Sequence, residues 1–215
     1  MVDLIAVYWA GDAIAHIMVS FGFAGDHVAI SSETRKEKGE AYSSLAGFFK
    51  NYELIYAVGD ERDLIRVRTN YRRPEELVYL YRTRARPEAA RRLFLEYGER
   101  INQLRASPEF YNTLTTNCTT DVWLLVRALT GRFAIDWRVL LSGYFPEYIY
   151  DLRSLDTRLP FPALKAQSLI NEKAHAADQL WISRSASGKA CPVRRGGLQA
   201  SPRSRRGCSA SLHPW

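Results

Sequence analysis

Alternating apolar and polar positions dominate the first part of the chain. Within residues 13–35, AIAHIMVSFGF and HVAISSE alternate as strands do, with Ala24, Gly25 and Asp26 supplying turn residues between them. The pattern predicts a β-hairpin. With an even loop, opposed positions sum to an odd number, so His16 and Glu33 share a face with Met18, Ser20, Ala29 and Ser31. Ile17, Val19, Phe21, Phe23, Val28 and Ile30 occupy the other face. One side is then densely apolar, and the other is small and polar with one imidazole and one carboxylate. YELIYAV (52–58), LIRVRT (64–69) and LVYLY (77–81) read as further strands, with GDERD as a charged turn between the first two.

Helical periodicity takes over after Pro87. Leu93, Tyr97, Ile101 and Leu104 form one stripe over about 88–105, with Pro87 suited to the first helical position. YNTLTTNCTT (111–120) runs into VWLLVRAL, which predicts a helix capped by Asn117 and ended by Gly131. A short helix and an aromatic-rich turn are expected in 136–153, and another helix over about 162–178. Strands followed by helices indicate an α+β fold, an antiparallel sheet with packed helices.

Composition divides the chain unevenly. Seven of its 30 basic residues lie after Asp178, where there is no acidic residue, and the remaining basic residues balance the 23 acidic ones. The body is neutral, and the net charge of +7 belongs to the tail. We therefore expect a short lead (1–12), one folded domain (13–179) and a basic tail (180–215) rich in Ser, Arg, Gly and Pro. The tail reads as a disordered segment, as a translation in another frame, or as an arm for nucleic acid or a membrane surface. No function is built on it, and nucleic acid is not expected as a partner. Residues 1–23 lack a basic start and are interrupted by Asp3 and Asp12, unlike a signal peptide or a membrane span.

The candidate chemistry centres on Cys118. The other cysteines, Cys191 and Cys208, lie in the tail, and no zinc-type ligand spacing occurs, so neither a metal nor a cofactor is expected. Cys118 falls in the first turn of its helix, where partial positive charge and unpaired N–H groups favour a thiolate. A thiol nucleophile needs a base and a group to orient that base. His16 interrupts an apolar strand, and Glu33 shares its face; His27 at the turn and His175 on a terminal helix read as surface residues. The plainer alternatives are a buried structural Cys118, a structural His16, and a Glu33 paired with Arg35 in a solvated charge run.

AHIMVSFGF, ISSETRKEKGEAYSSLAGFFKNYELIYAVGDERDLIRVRTNYR and YNTLTTNCTT, in this order, resemble the N-terminal periplasmic domain of the bacterial lipoprotein N-acyltransferase Lnb, over about residues 13–178. That family is similar to circularly permuted papain-like and lecithin:retinol-acyltransferase-like folds, in which the histidine strand precedes the cysteine helix. The resemblance implies Cys118 as nucleophile and His16 as base; Glu33 as the orienting residue comes from strand parity. It further implies acyl transfer through a thioester, from a phospholipid donor to the amine of a lipoprotein or another acceptor, at a membrane surface in the periplasm or cell envelope. Asn117, Thr119 and Tyr111 are candidates for substrate or oxyanion contacts, and Phe48, Phe49, Tyr52 and the aromatics of 144–150 for an acyl groove. The alternatives are a cysteine amidase or peptidase using the same pair, and a non-catalytic envelope module.

Overall fold

The computed structural model describes residues 3–9, 13–35, 52–112, 115–131 and 133–186, those from 180 onward by backbone alone. Five antiparallel strands form one sheet: β1 (Asp3–Trp9), β2 (His16–Gly22), β3 (His27–Arg35), β4 (Glu53–Asp60) and β5 (Val78–Arg82). Their spatial order is β4-β3-β2-β1-β5. The helices are α1 (Glu61–Arg66), α2 (Pro87–Ala106), α3 (Cys118–Thr130), α4 (Trp137–Leu140), α5 (Phe145–Asp151), α6 (Phe161–Ser168) and α7 (Asn171–Ala186). Sheet and helices together make the α+β fold. Residues 1–180 form one compact unit, and the division that follows falls at Trp181.

The hairpin register matches the parity argument. Val19 lies opposite Ile30 and Gly22 opposite His27, so the two members of each pair sum to an odd number. The 1–12 segment, however, is not a lead to the domain. Its residues 3–9 form β1, which pairs with β2 on one side and β5 on the other. DLIAVYW is an almost continuous apolar run because a strand covered on both faces has no side to give to solvent.

That double covering also corrects the expected sparse face. Ala6, Tyr8, Ile17, Val19, Phe21 and Ile30 pack on one side against residues of α2, α3 and α5. On the other side Ile5, Val7, Trp9, Met18 and Ala29 pack against Ile65 of α1 and against Ile170 and Ala174. The face of His16 and Glu33 is therefore a second core with a polar end.

Two further expectations fail for local reasons. LIRVRT is helical: Asp60 caps α1, accepting from the Arg62 N–H at 2.8 Å, and Glu61 and Asp63 complete an acidic first turn. The helix continues as a π-turn over Val67–Tyr71. The single helix expected over 162–178 is broken at Leu169–Ile170, where the chain caps the edge of β5. Leu169 bridges Tyr79, the Ile170 N–H donates to the Val78 carbonyl, and the Asn171 side chain accepts from the Val78 N–H. An exposed strand edge finds its partners there.

Phe21 is fully buried, with ring centroids 5.2 Å from Phe94 and 6.0 Å from Tyr97. Phe21→Ala should cost about 3–5 kcal/mol in urea unfolding, while Ile55→Ala, on the exposed side of β4, should stay within about 1 kcal/mol.

Candidate active site

Cys118 opens α3 as the sequence predicts. Asn117 has extended backbone angles, and its side chain accepts from the Thr119 and Thr120 N–H groups, both at 2.8 Å. The Thr120 hydroxyl accepts from the Asn117 N–H at 2.9 Å, and the Asp121 N–H donates to the Asn117 carbonyl. This capping box occupies the N–H groups on either side of Cys118 and does not use the Cys118 N–H itself. Gly131 closes the helix in the left-handed region at φ 66°.

His16 begins β2, held there by Ser142, whose hydroxyl accepts from the Ala15 N–H (2.9 Å) and donates to the Ala15 carbonyl (2.7 Å). His16 Nε2 lies 3.0 Å from Glu33 Oε1 and 2.9 Å from Ser31 Oγ, and the Ser31 hydroxyl donates to the same carboxylate oxygen at 3.0 Å. With Nε2 occupied in this way, Nδ1 is the ring nitrogen left for Cys118, whose thiol and the imidazole each shift the other's protonation. The structure therefore brings Cys118, His16 and Glu33 together. Cys118 is 4 % exposed, whereas the His16 and Glu33 side chains are 21 % and 25 % exposed.

The electrostatics favour an ion pair. Burial pushes the Cys118 thiol up, but the charge and hydrogen bond of His16, a hydrogen bond from the Ile17 backbone and the Thr119 hydroxyl together bring it below the ordinary thiol value. Burial pushes His16 down; the Cys118 thiolate, and then Glu33, outweigh it and raise the imidazole well above its usual range. Glu33 meets the same opposition of burial against His16, Arg68 and Ser31, and its carboxyl is lowered.

Three residues around this pair were not anticipated. Arg68, on the π-turn, reaches Glu33 at 3.5 Å and Glu76 at 3.5 Å, taking the place expected for Arg35, which instead faces Glu53. Its guanidinium lies 4.4 Å from the Trp9 ring centroid, and the Trp9 ring is 4.6 Å from that of His16. Asp121 is buried one turn after Cys118 and accepts from Ser32 Oγ at 2.6 Å and from the Tyr56 hydroxyl at 3.0 Å. The acidic cap of α1 was the available signal for Arg68. No local pattern marks Asp121, whose partners Ser32 and Tyr56 lie far away in the sequence.

The subsidiary candidates distribute differently. The Asn117 side chain is consumed by the cap, and Thr119 is wholly buried with its hydroxyl 3.8 Å from the Cys118 sulfur, so both shape the thiol's surroundings. Tyr111 packs with Tyr52 and Leu54 in a separate cluster. Tyr148 is buried in the main core, Tyr150 packs on Phe161, and Tyr144 lies beside Trp137. Phe48 and Phe49 lie outside the described residues. His175 is paired with the Thr69 carbonyl and Glu75. Among the described residues no group of His, Cys, Asp and Glu could hold a metal ion.

These observations define an α+β domain in which a strand histidine contacts a strand carboxylate and is coupled to a cysteine at a helix start. The family model described as the Lnb N-terminal periplasmic domain matches residues 1–143, and the chain belongs to that family. It is thus an envelope protein related to Lnb, and the matched span includes Cys118, His16, Glu33 and Arg68. No curated protein and no solved structure matches the chain. Among the described residues, no helix is long and apolar enough to cross a membrane.

The ion pair has a defined pH window. As pH falls through the lowered Cys118 value the thiolate is protonated, and as it rises through the raised His16 value the imidazolium is lost. Alkylation of Cys118 by iodoacetamide should therefore stay fast at mildly acidic pH, and His16→Ala should shift its midpoint upward. Glu33→Gln should move loss of the imidazolium to lower pH, read from the His16 ring by NMR titration. A thiol that titrates in its ordinary range, or reacts only after denaturation, would refute the pairing.

Proposed function

We propose that this domain is a thiol-dependent acyltransferase of the cell envelope, working through a thioester on Cys118. The observation that carries the reading is the coupling of the Cys118 thiol to the His16 imidazole, with that ring fixed by Glu33 and Ser31. The Cys118 thiolate attacks the ester carbonyl of a phospholipid donor. The tetrahedral oxyanion is stabilised by the Cys118 N–H, a helix-start donor that the capping box does not use. Collapse breaks the ester C–O bond, and the leaving alkoxide takes the proton from His16 Nδ1. In the second half the acceptor amine attacks the thioester carbonyl, His16 removes the amine proton, and the thiolate leaves.

Glu33 and Ser31 hold Nε2–H, so the nitrogen facing the sulfur is the one that gains and loses the proton. Arg68 and Trp9 position this carboxylate and ring from behind. The order of histidine strand before cysteine helix supports a circularly permuted papain-like arrangement. Family membership supports a lipoprotein amine as acceptor and the periplasm as compartment.

Incubation with phospholipid vesicles should yield an acyl adduct on the intact protein by mass spectrometry. The adduct should be absent in Cys118→Ala, and should pass to a peptide bearing an N-terminal diacylglyceryl cysteine. His16→Ala should slow formation of the adduct about 10²–10⁴-fold. Release of free fatty acid without transfer, or cleavage of the peptide, would replace the transferase with a hydrolase. No adduct and no hydrolysis would reduce the domain to a scaffold.

A further inference from the structure

A cavity of about 930 Å³ opens on the sheet face covered by α2, α3 and α5. Its walls are apolar: Val19, Leu93, Val126, Leu129, Phe145 and Ile149. Ile17 and Val122 are among its buried lining residues. Ile17 follows His16 in β2, and Val122 lies one turn after Cys118. From Val122 to Thr130 the cavity follows α3 for about 12 Å. Its volume falls within the roughly 300–1,000 Å³ of small-molecule sites, enough for one chain and its head.

The mouth differs in kind from the interior. Arg84, Arg86, Arg92 and Arg153 line it, all exposed, with Glu88 as the one acidic residue of the lining. Arg86, Arg92 and Arg153 make no ion pair among the described residues, and Arg84 has the charge of Asp156 nearby. Arg153 is also held in the left-handed region, at φ 55°, where the end of α5 closes with its N–H on the Tyr150 carbonyl. Glycine is the ordinary residue for such a helix end. Arginine there sets a guanidinium at the rim at the expense of backbone strain.

We propose that this cavity binds a long-chain fatty acid anion, with the aliphatic chain inward toward Ile17 and Val122 and the carboxylate among the rim arginines. Guanidinium groups suit a carboxylate by charge and by planar hydrogen bonding. Cys118 is not among the residues that line the cavity. The site is therefore a binding site in its own right, and it is independent of reaction at Cys118.

The test is fluorescence titration of the full chain with dansyl-labelled undecanoate, followed by displacement. Saturable binding, displaced by palmitate and only at higher concentration by hexadecanol, is expected. Arg92→Gln and Arg153→Gly should each weaken palmitate about threefold, the loss of one exposed charge contact. Arg153→Gly should do so with an unchanged or higher melting temperature, because glycine relieves the left-handed backbone, so weakening cannot be laid to unfolding. Val126→Trp should fill the cavity and abolish binding; should that variant not fold, the two arginine variants carry the test. Cys118→Ala should bind as the wild type does, which separates this site from the proposed chemistry. The absence of saturable binding, equal displacement by hexadecanol, or wild-type affinity in both arginine variants would overturn the proposal. Tighter displacement by lysophosphatidate than by palmitate would overturn the carboxylate in favour of a phosphate head.

Discussion

Two consecutive serines of β3 hold the halves of the candidate site together. Side chains alternate across a strand, so Ser31 and Ser32 point to opposite faces of the sheet. Ser31 joins His16 to Glu33, while Ser32 donates at 2.6 Å to the buried carboxylate of Asp121 in the first turn of the cysteine helix. Burial makes Asp121 harder to ionise, and Ser32 and the Tyr56 hydroxyl oppose that effect. Left without those donors, the carboxylate would carry the full cost of an unsatisfied buried acceptor, so the helix start is locked to β3 and β4. The sulfur and the imidazole meet because both are fixed to the same strand.

That fixed relation makes a thiolate–imidazolium pair tolerable inside the protein. Neither charge is well solvated, and each is stable chiefly through the other and through the groups around it. The surroundings are graded. The capping box directs a helix start at the sulfur, Ser31 and Glu33 bind the far ring nitrogen, and His16 first, then Arg68, holds Glu33 in its ionised form. The buried Trp9 ring lies against both the Arg68 guanidinium and the His16 ring. A π-turn delivers Arg68, a distortion often found beside functional groups.

Much of this was legible from residue order. Alternation fixed the hairpin register, and parity then placed Glu33 beside His16. Asn117 and Gly131 marked both ends of α3, and with them the position of Cys118 at a helix start. Where the reading failed, nonlocal contacts decided. LIRVRT has strand-like composition but follows an acidic cap, and the 162–178 helix yields its middle to the edge of β5. Residues 1–12 looked like a lead because a central strand buried on both faces shows no alternation.

The chain alone was enough to specify the elements whose signals are local: strand alternation, helix caps, and a thiol at a helix N-terminus. Those depend on backbone geometry over a few residues. Folding in three dimensions settled which faces are covered, that Arg68 rather than Arg35 meets Glu33, that Asp121 anchors the cysteine helix, and that a cavity rimmed by arginines lies beside it. Each of these joins residues far apart in sequence, and no local pattern encodes the distance between them.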